Sequence, residues 1–212
     1  EHIELQNSLE KFIDAEINPH IDAWEEQEMY PAHELFKKMG GLGFLGIGKP
    51  VEYGGSGLDY SYEAMGAFAS GRITSLGVAA AIGVQTNMCT PALTRHGSDE
   101  LRKEILVPTI AGDVVGCVGV TESGAGSDVA SLKTTARKDG DDYVINGSKM
   151  FITNGLQADW MCCLCNTSDD SIHKNKSLII IPMDTPGITR HKIRKIGLMS
   201  SDTAQIFFDD VR

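Results

Sequence analysis

Positive charge is scarce in this 212-residue sequence: 19 lysines and arginines stand against 29 aspartates and glutamates, a formal net charge of −10. Such an acidic surface repels phosphate backbones and anionic head groups, which argues against nucleic-acid binding and against a basic membrane-surface protein. No apolar run reaches the roughly 20 residues of a membrane-spanning helix, and no secretory signal is visible in the polar start, Glu1 to Glu4. The composition, 42% hydrophobic and 23% charged, indicates a globular protein of one large or two small domains.

The chain has five cysteines, an odd number that cannot all pair within it. Three of the cysteines lie inside one apolar run, Trp160 to Cys165. This pattern predicts buried, reduced thiols of an intracellular protein rather than a disulfide framework. A metal site would need more ligands at workable spacing, and His173 is the only candidate nearby, so no metal is expected.

The first half of the chain has the period of amphipathic helices. Apolar residues recur at three- and four-residue steps from Leu5 to Trp24, which predicts a helix that is kinked or reset near Pro19. Further helices are predicted over residues 32–39, from 59 or 61 to 70, over 76–88, and from a Ser98 cap to Gly112.

From Val114 onward the pattern is typical of strands. Asp139-Gly140 and Asn146-Gly147 are strong hairpin-turn signals, because such turns need left-handed backbone angles. Strands are predicted at residues 114–121, 134–138, 143–145, 149–153, 160–165, 178–183, 188–196 and 204–211. Strands without intervening helices indicate an antiparallel sandwich or barrel. The sequence therefore predicts an α+β protein, with a helical domain over residues 1–113 and a β domain over residues 114–212.

A glycine-rich loop, Thr121 to Asp128, follows the first predicted strand. Its two glycines, Gly124 and Gly126, would let backbone N–H groups approach a ligand closely. A P-loop is excluded because no lysine stands at the required position. A dinucleotide fingerprint fails because Val129 occupies the third glycine position and hairpins, not a helix, follow. Taken alone, the loop is best interpreted as a β-turn without a ligand.

A second segment, Gly147 to Gly155, changes that interpretation. Phe151 and Thr153 share one face of a strand, since side chains alternate. An aromatic ring beside a hydroxyl offers a ligand a flat surface and one hydrogen bond, although a core phenylalanine and an edge threonine would give the same pattern.

Together with motifs elsewhere, these segments resemble the N-terminal and middle domains of the flavin-dependent acyl-CoA dehydrogenases, in order and over essentially the whole chain. The motifs are Val120-Thr121-Glu122-Ser123-Gly124-Ala125-Gly126-Ser127-Asp128, Ile145-Asn146-Gly147-Ser148-Lys149, Phe151-Ile152-Thr153-Asn154-Gly155, Asp184-Thr185-Pro186-Gly187-Ile188, Phe207-Phe208-Asp209-Asp210-Val211-Arg212, and upstream Tyr53-Gly54-Gly55-Ser56-Gly57 and His96-Gly97-Ser98. Many members have tryptophan at position 151, and the phenylalanine here favours the long-chain branch.

The resemblance implies an FAD site on the β domain. Backbone groups of Val118, Val120 and Thr121 are expected to contact the cofactor, and the Thr121 hydroxyl is expected to hydrogen-bond the flavin ring. Ser127 is expected to contact both a flavin phosphate and the acyl-CoA substrate. Such contacts orient the ring and tune its electron affinity, which is the protein's share of cofactor chemistry.

The resemblance also assigns the strand that follows. Phe151 is expected to pack on the isoalloxazine ring, Ile152 to contact the cofactor, and the Thr153 hydroxyl to lie near the hydride-accepting nitrogen. The catalytic base of the family, a glutamate, lies on a C-terminal helical domain for which this sequence has no counterpart. No catalytic residue is therefore assigned here, and Glu122, beside the loop, is interpreted as structural.

The implied reaction is the FAD-dependent α,β-dehydrogenation of a fatty acyl-CoA thioester, as in β-oxidation. The implied partners are acyl-CoA, an electron-transferring flavoprotein as acceptor, and further copies of the full-length chain in a tetramer or dimer. The implied compartment is the mitochondrial matrix, or the cytoplasm if the source is bacterial.

Three hypotheses follow, and the whole-chain match favours the first. The chain is part of a full dehydrogenase, or a short flavin- or acyl-CoA-binding module without catalysis, or an interaction protein on the same scaffold. Oxidase and monooxygenase activities remain alternatives within the first hypothesis, because these motifs do not show whether a bound flavin reacts with oxygen.

Overall fold

The computed structural model describes residues 1–212, which divide into two units. The helical unit consists of Glu1–Val115 together with Lys195–Asp202, and the β unit consists of Gly116–Arg194 together with Thr203–Arg212. The segment Lys195–Asp202 lies within residues 114–212, the range predicted as the β domain, but it groups with the helical unit. None of the helices has the length and the apolar character needed to cross a bilayer.

The helical unit begins with the apolar stripe, and the stripe is interrupted where the sequence predicts. Before Pro19 the α-helix gives way to a π-helical turn, Ile13–Ile17, and then to a 3₁₀ turn, Asn18–His20. Proline lacks an N–H and its ring clashes with the preceding turn, so the regular ladder cannot continue. The helices are α1 (His2–Phe12), α2 (Ile21–Gln27), α3 (Ala32–Gly41), α4 (Tyr60–Ser70), α5 (Leu76–Gly83), α6 (Thr90–His96), α7 (Asp99–Leu101) and α8 (Val107–Ile110).

Side-chain caps fix where two of these helices start. The Asp59 carboxylate accepts from the N–H of Ser61 at 2.8 Å, and the Ser98 hydroxyl accepts from the N–H of Leu101 at 3.2 Å. These are the starts that the sequence predicts. Helix α6, by contrast, was not predicted. Two further π-helical turns, Val84–Met88 and Arg102–Leu106, continue α5 and α7.

The core of the helical unit forms from the predicted stripe. Its members Leu9, Ile13, Ile17, Ile21 and Trp24 are all buried. Burying a side chain of this size contributes about 1.5–3 kcal/mol, so the stripe is a main source of the unit's stability.

The segment Lys195–Asp202 is held in the helical unit by polar contacts with α2 and its surroundings. Its Ser200 carbonyl accepts from the N–H of Tyr30 at 2.6 Å, and the hydroxyls of Ser200 and Ser75 lie 2.7 Å apart. The Glu25 carboxylate accepts from the N–H of Ser200 at 3.2 Å. Nothing in the local sequence pattern predicts this placement.

The β unit is one seven-stranded sheet with the order β1-β4-β2-β3-β7-β6, and β5 pairs with β4. The strands are β1 (Gly116–Gly119), β2 (Thr135–Asp139), β3 (Asp142–Thr153), β4 (Trp160–Asn166), β5 (Lys176–Pro182), β6 (Ile188–Lys192) and β7 (Thr203–Val211). Most pairs are antiparallel, as predicted, but β1 and β2 each pair with β4 in parallel. The sheet curls, because Met150 in β3 donates its N–H to the carbonyl of Thr121, just past β1, at 2.8 Å.

The two predicted hairpin turns have different outcomes. Gly140 has φ +65° and joins β2 to β3, which confirms the turn at Asp139-Gly140. The turn predicted at Asn146-Gly147 is wrong, because β3 runs straight through it. Gly147 has φ +140° at a break in register with β7, so its conformation serves a β-bulge rather than a reversal. The Asn146 side chain is occupied with Asp210, to which it donates at 2.8 Å.

Candidate functional site

The structure brings the two sequence segments of interest together. Strand β1 is an edge strand that pairs only with β4, so its other edge, which includes Val118, has no strand partner in the sheet. Val120 follows directly after the end of this strand. The hydrogen bond between Met150 N–H and the Thr121 carbonyl then sets the end of β1 beside the Phe151 segment of β3. The end of β1 and the C-terminal part of β3 thus lie side by side.

Phe151 occupies this surface in a strained conformation. Its φ is +61°, in the left-handed region that bulky residues avoid, and its side chain is 63% exposed. The strain coincides with a second break in register between β3 and β7, between Lys149 and Ile152. Backbone strain of this kind persists where the surrounding structure enforces it, often at functional sites. The bulge therefore holds an aromatic ring out of the sheet.

The neighbouring positions differ in what they offer a ligand. The Ile152 side chain is buried, which leaves only its backbone available, whereas Thr153 is half-buried. The N–H and hydroxyl of Thr121 and the hydroxyls of Thr153 and Ser127 make no hydrogen bond within the protein. Polar groups in partly buried positions are normally paired, so the unpaired Thr121 and Thr153 groups are available to a ligand. Ser127 is exposed on the loop.

Glu122 fastens the loop to the sheet. Its carboxylate accepts from the N–H of Lys133 at 2.6 Å, from the Thr134 N–H at 3.0 Å and hydroxyl at 2.6 Å, and from the Lys149 ammonium at 2.8 Å. Burial acts to raise the pKa of this carboxyl, but the hydrogen bonds from Lys149, Thr134 and Lys133 outweigh it and hold the pKa below its usual value. A carboxylate bound in this way is structural and unsuited to act as a base.

A sizeable cavity lies elsewhere, within the helical unit, and sequence reasoning missed it. It has a volume of about 390 Å³ and is lined mainly by apolar side chains of α1, α4 and α5. Lys49 lines it, and burial lowers the pKa of this lysine. The signal in the sequence was a lysine at the end of the apolar run Phe44 to Ile47. A smaller cavity of about 180 Å³ adjoins the glycine-rich loop at Ser123 and Ser148.

The cysteines pack in the core. All five are free and buried, which confirms the predicted burial. Burial raises the pKa of the Cys162 thiol to about 11, so this thiol is protonated near neutral pH. No group of three histidine, cysteine or acidic side chains in the structure is placed to hold a metal ion.

Comparison with known proteins identifies the scaffold. Residues 1–113 match the profile of the acyl-CoA dehydrogenase N-terminal domain, and residues 117–211 match that of the middle domain. The human mitochondrial short-chain specific acyl-CoA dehydrogenase is 35% identical over 213 aligned positions, which cover 100% of this chain and 51% of that protein.

Solved structures agree in fold. An acyl-CoA dehydrogenase from Geobacillus kaustophilus superposes with a TM-score of 0.92 at 36% identity and covers 99% of this chain and 55% of its own. A glutaryl-CoA dehydrogenase from Mycobacterium smegmatis, solved in complex with FADH2, gives 0.89 at 33% identity over 99% of this chain and 53% of its own. The chain thus spans about half the length of the relatives it matches. On these matches over its whole length, the chain belongs to the acyl-CoA dehydrogenase family.

Proposed function

We propose that this chain supplies the flavin-binding part of an enzyme that carries out FAD-dependent α,β-dehydrogenation of a fatty acyl-CoA thioester. The observation that carries the proposal is one surface that combines the unpaired N–H and hydroxyl of Thr121, the projecting ring of Phe151 and the unpaired hydroxyl of Thr153. A flat, heteroatom-rich ring needs this combination of an aromatic face and hydrogen-bond donors at its edge. The related glutaryl-CoA dehydrogenase solved with FADH2 supports the same cofactor here.

The residues present fit FAD in defined roles. Phe151 would pack against the isoalloxazine, and Thr121 would donate to its edge through N–H and hydroxyl. Backbone groups of Val118, Val120 and Ile152 would complete the contact with the cofactor. The Thr153 hydroxyl would lie near the flavin nitrogen that accepts hydride. Ser127, exposed on the loop, would serve the flavin phosphate and the acyl-CoA. When bound, FAD supplies a two-electron acceptor, which no side chain provides.

The catalytic base is proposed to lie outside these residues. Of the carboxylates beside the site, Glu122 already accepts four hydrogen bonds within the protein, and Asp128 is exposed on the loop. The matched relatives are about twice as long as this chain, which leaves room for a domain that carries a base. Electron-transferring flavoprotein as acceptor, a homo-oligomer at full length, and a mitochondrial or bacterial cytoplasmic location are proposed on the same family grounds.

FAD titration of the purified chain tests the cofactor assignment. Thr121→Val and Phe151→Ala are expected to weaken binding about fivefold or more each, since a hydrogen bond or ring contact is worth about 1 kcal/mol. Thr189→Val is the matched control, because Thr189 is an exposed threonine on the edge strand β6. Flavin fluorescence would measure the dissociation constants. Equal affinity in all three variants and the unmodified chain would contradict the proposed site.

The intact mass of the native protein tests the catalytic half of the proposal. A mass well above 22.9 kDa, with butyryl-, octanoyl- or palmitoyl-CoA bleaching the bound flavin, supports a dehydrogenase. The acyl chain that reacts fastest then tests the long-chain preference proposed from Phe151. A native mass equal to that of this chain, with flavin bound and no bleaching, would favour a non-catalytic binding module.

A further inference from the structure

A buried ion pair between Lys149 and Glu122 adjoins the candidate flavin surface. The Lys149 side chain is 0% exposed, that of Glu122 is 8% exposed, and the ammonium lies 2.8 Å from Oε1. The ammonium also donates to the carbonyl of Leu164 at 2.7 Å and to the carbonyl of Val120 at 3.2 Å. A buried ion pair gives little net stability compared with apolar residues of the same volume. The pair fastens the loop, but net stability is a weak reason for placing two charges at this position.

The contact with Val120 is informative because its carbonyl and the N–H of Thr121 belong to one peptide group. In a planar trans peptide the C=O and N–H point in opposite directions. The carbonyl faces the buried ammonium, so the N–H of Thr121 points away from it, and this N–H has no partner within the protein. Hydrogen bonds in series polarise one another, and the ammonium therefore makes the Thr121 N–H a stronger donor.

The rest of the network keeps this peptide in place. Glu122 lies two residues after Val120, and the N–H groups of Lys133 and Thr134 hold its carboxylate. The N–H of Met150 holds the carbonyl of Thr121. The orientation of the Thr121 N–H is thus set before any ligand arrives. A preorganised donor stabilises developing negative charge without having to reorient.

We propose that Lys149 and Glu122 are positioning residues that set the reduction potential of bound FAD: Lys149 raises it by polarising the Val120–Thr121 peptide, and Glu122 limits the rise. The inference rests on the proposed function, because it takes the flavin ring to lie against Thr121. Reduced flavin is richer in electrons than oxidised flavin, so a stronger donor and a nearby positive charge favour the reduced form.

The test is the midpoint potential of FAD bound to this chain in two single variants. Lys149→Met is expected to lower the potential, by about 30 mV for each tenfold change in the ratio of affinities for reduced and oxidised FAD. Glu122→Gln is expected to raise it, because an uncompensated ammonium remains. A purely structural role would loosen the same loop in both variants and would not move the potential in opposite directions.

A readout without cofactor accompanies the potentials. In the FAD-free chain, the Thr121 amide proton resonance is expected to move upfield in Lys149→Met, because its peptide carbonyl loses a charged donor. Arg190→Met is the matched control: Arg190 donates to the carbonyls of Leu156 and Ala158 in the same unit but makes no contact with Val120. It is expected to leave the Thr121 resonance and the potential unchanged.

Removing one partner of a buried pair costs about 3–5 kcal/mol, so a single variant that fails to fold is replaced by Glu122→Gln/Lys149→Met. This double variant leaves no unpaired charge. Its potential is expected between those of Lys149→Met and the unmodified chain, with the Thr121 resonance again upfield. An unmoved Thr121 resonance, or single-variant potentials that shift in the same direction, would overturn the inference while FAD binding stands. Failure of the unmodified chain to bind FAD would overturn the proposed function and the inference with it.

Discussion

Replacing Phe151 with glycine or alanine separates the strain at this position from its proposed function. Its φ of +61° lies in the left-handed region, which costs an L-residue about 1–2 kcal/mol. Alanine keeps a Cβ and therefore keeps the strain, whereas glycine loses it. Glycine also adds about 0.4–1 kcal/mol of unfolded-state entropy. The difference predicts that Phe151→Gly is more stable than Phe151→Ala by about 0.5–1 kcal/mol.

Urea unfolding of the two variants measures this difference through the midpoint, provided that the slope m is the same in both. In a thermal scan the gap corresponds to about 1–4 °C for a chain of this length. Both variants lose the ring, so both are expected to bind FAD about equally weakly. Stability and affinity thus change independently at one position.

Tyr143 provides the matched control, because it is an exposed aromatic residue on the same strand without a positive φ. At this position glycine is expected to be the less stable of the two replacements, as in ordinary strands. The reasoning is refuted if glycine is no more stable than alanine at 151, or if positions 143 and 151 rank the two residues in the same order.

Three further predictions concern the rest of the chain. Gly112→Ala is expected to destabilise the protein by about 2 kcal/mol or more in urea, because φ is +74° and the added Cβ would lie 2.0 Å from the Phe36 carbonyl oxygen; a loss below 0.5 kcal/mol would contradict the close packing. Asp59→Ala removes the cap of α4 and is expected to cost about 1 kcal/mol, whereas Asp59→Asn, which keeps an acceptor for Ser61, should cost much less; equal losses would speak against the cap. The Glu122 pKa is lowered in the folded chain. The carboxylate's contribution to the free energy of unfolding is therefore complete above the unfolded pKa of about 4.3 and is lost as pH falls through the folded value. If the stability of a Glu122→Gln variant falls just as steeply on acidification, this carboxyl is not the source of the pH dependence.

Much of the candidate site followed from local sequence. The glycine-rich loop after a strand, and an aromatic residue followed by Ile152 and Thr153, are local patterns. Side-chain alternation predicts that Phe151 and Thr153 share one face, but the break in register between Lys149 and Ile152 interrupts the regular pairing on which that prediction depends. The resemblance to the acyl-CoA dehydrogenases then supplied roles that no periodicity contains. The left-handed backbone at Phe151 was not predictable, because it arises from a break in register with β7, a partner more than 50 residues away.

The Asn146-Gly147 segment shows why a strong local signal failed. The dipeptide favours left-handed angles, and Gly147 does have a positive φ. Whether that angle reverses the chain or makes a bulge depends on the neighbouring strand, and here pairing with β7 carries β3 straight through. A turn propensity of a fraction of a kcal/mol gives way to the backbone hydrogen bonds that pair β3 with β7 on both sides of the bulge.

The sequence by itself determined the two halves of the chain, the caps of α4 and α7, the buried stripe and the family motifs, because each depends on residues within a few turns or one hairpin. Tertiary structure alone decided the placement of Lys195–Asp202, whose Ser200 bonds to Glu25 across 175 residues, and the Lys149–Glu122 pair, which spans 27. A buried polar group can be satisfied by any partner that the fold brings within about 3 Å. Its choice of partner is therefore fixed by the packing of the strands and helices rather than by the residues beside it.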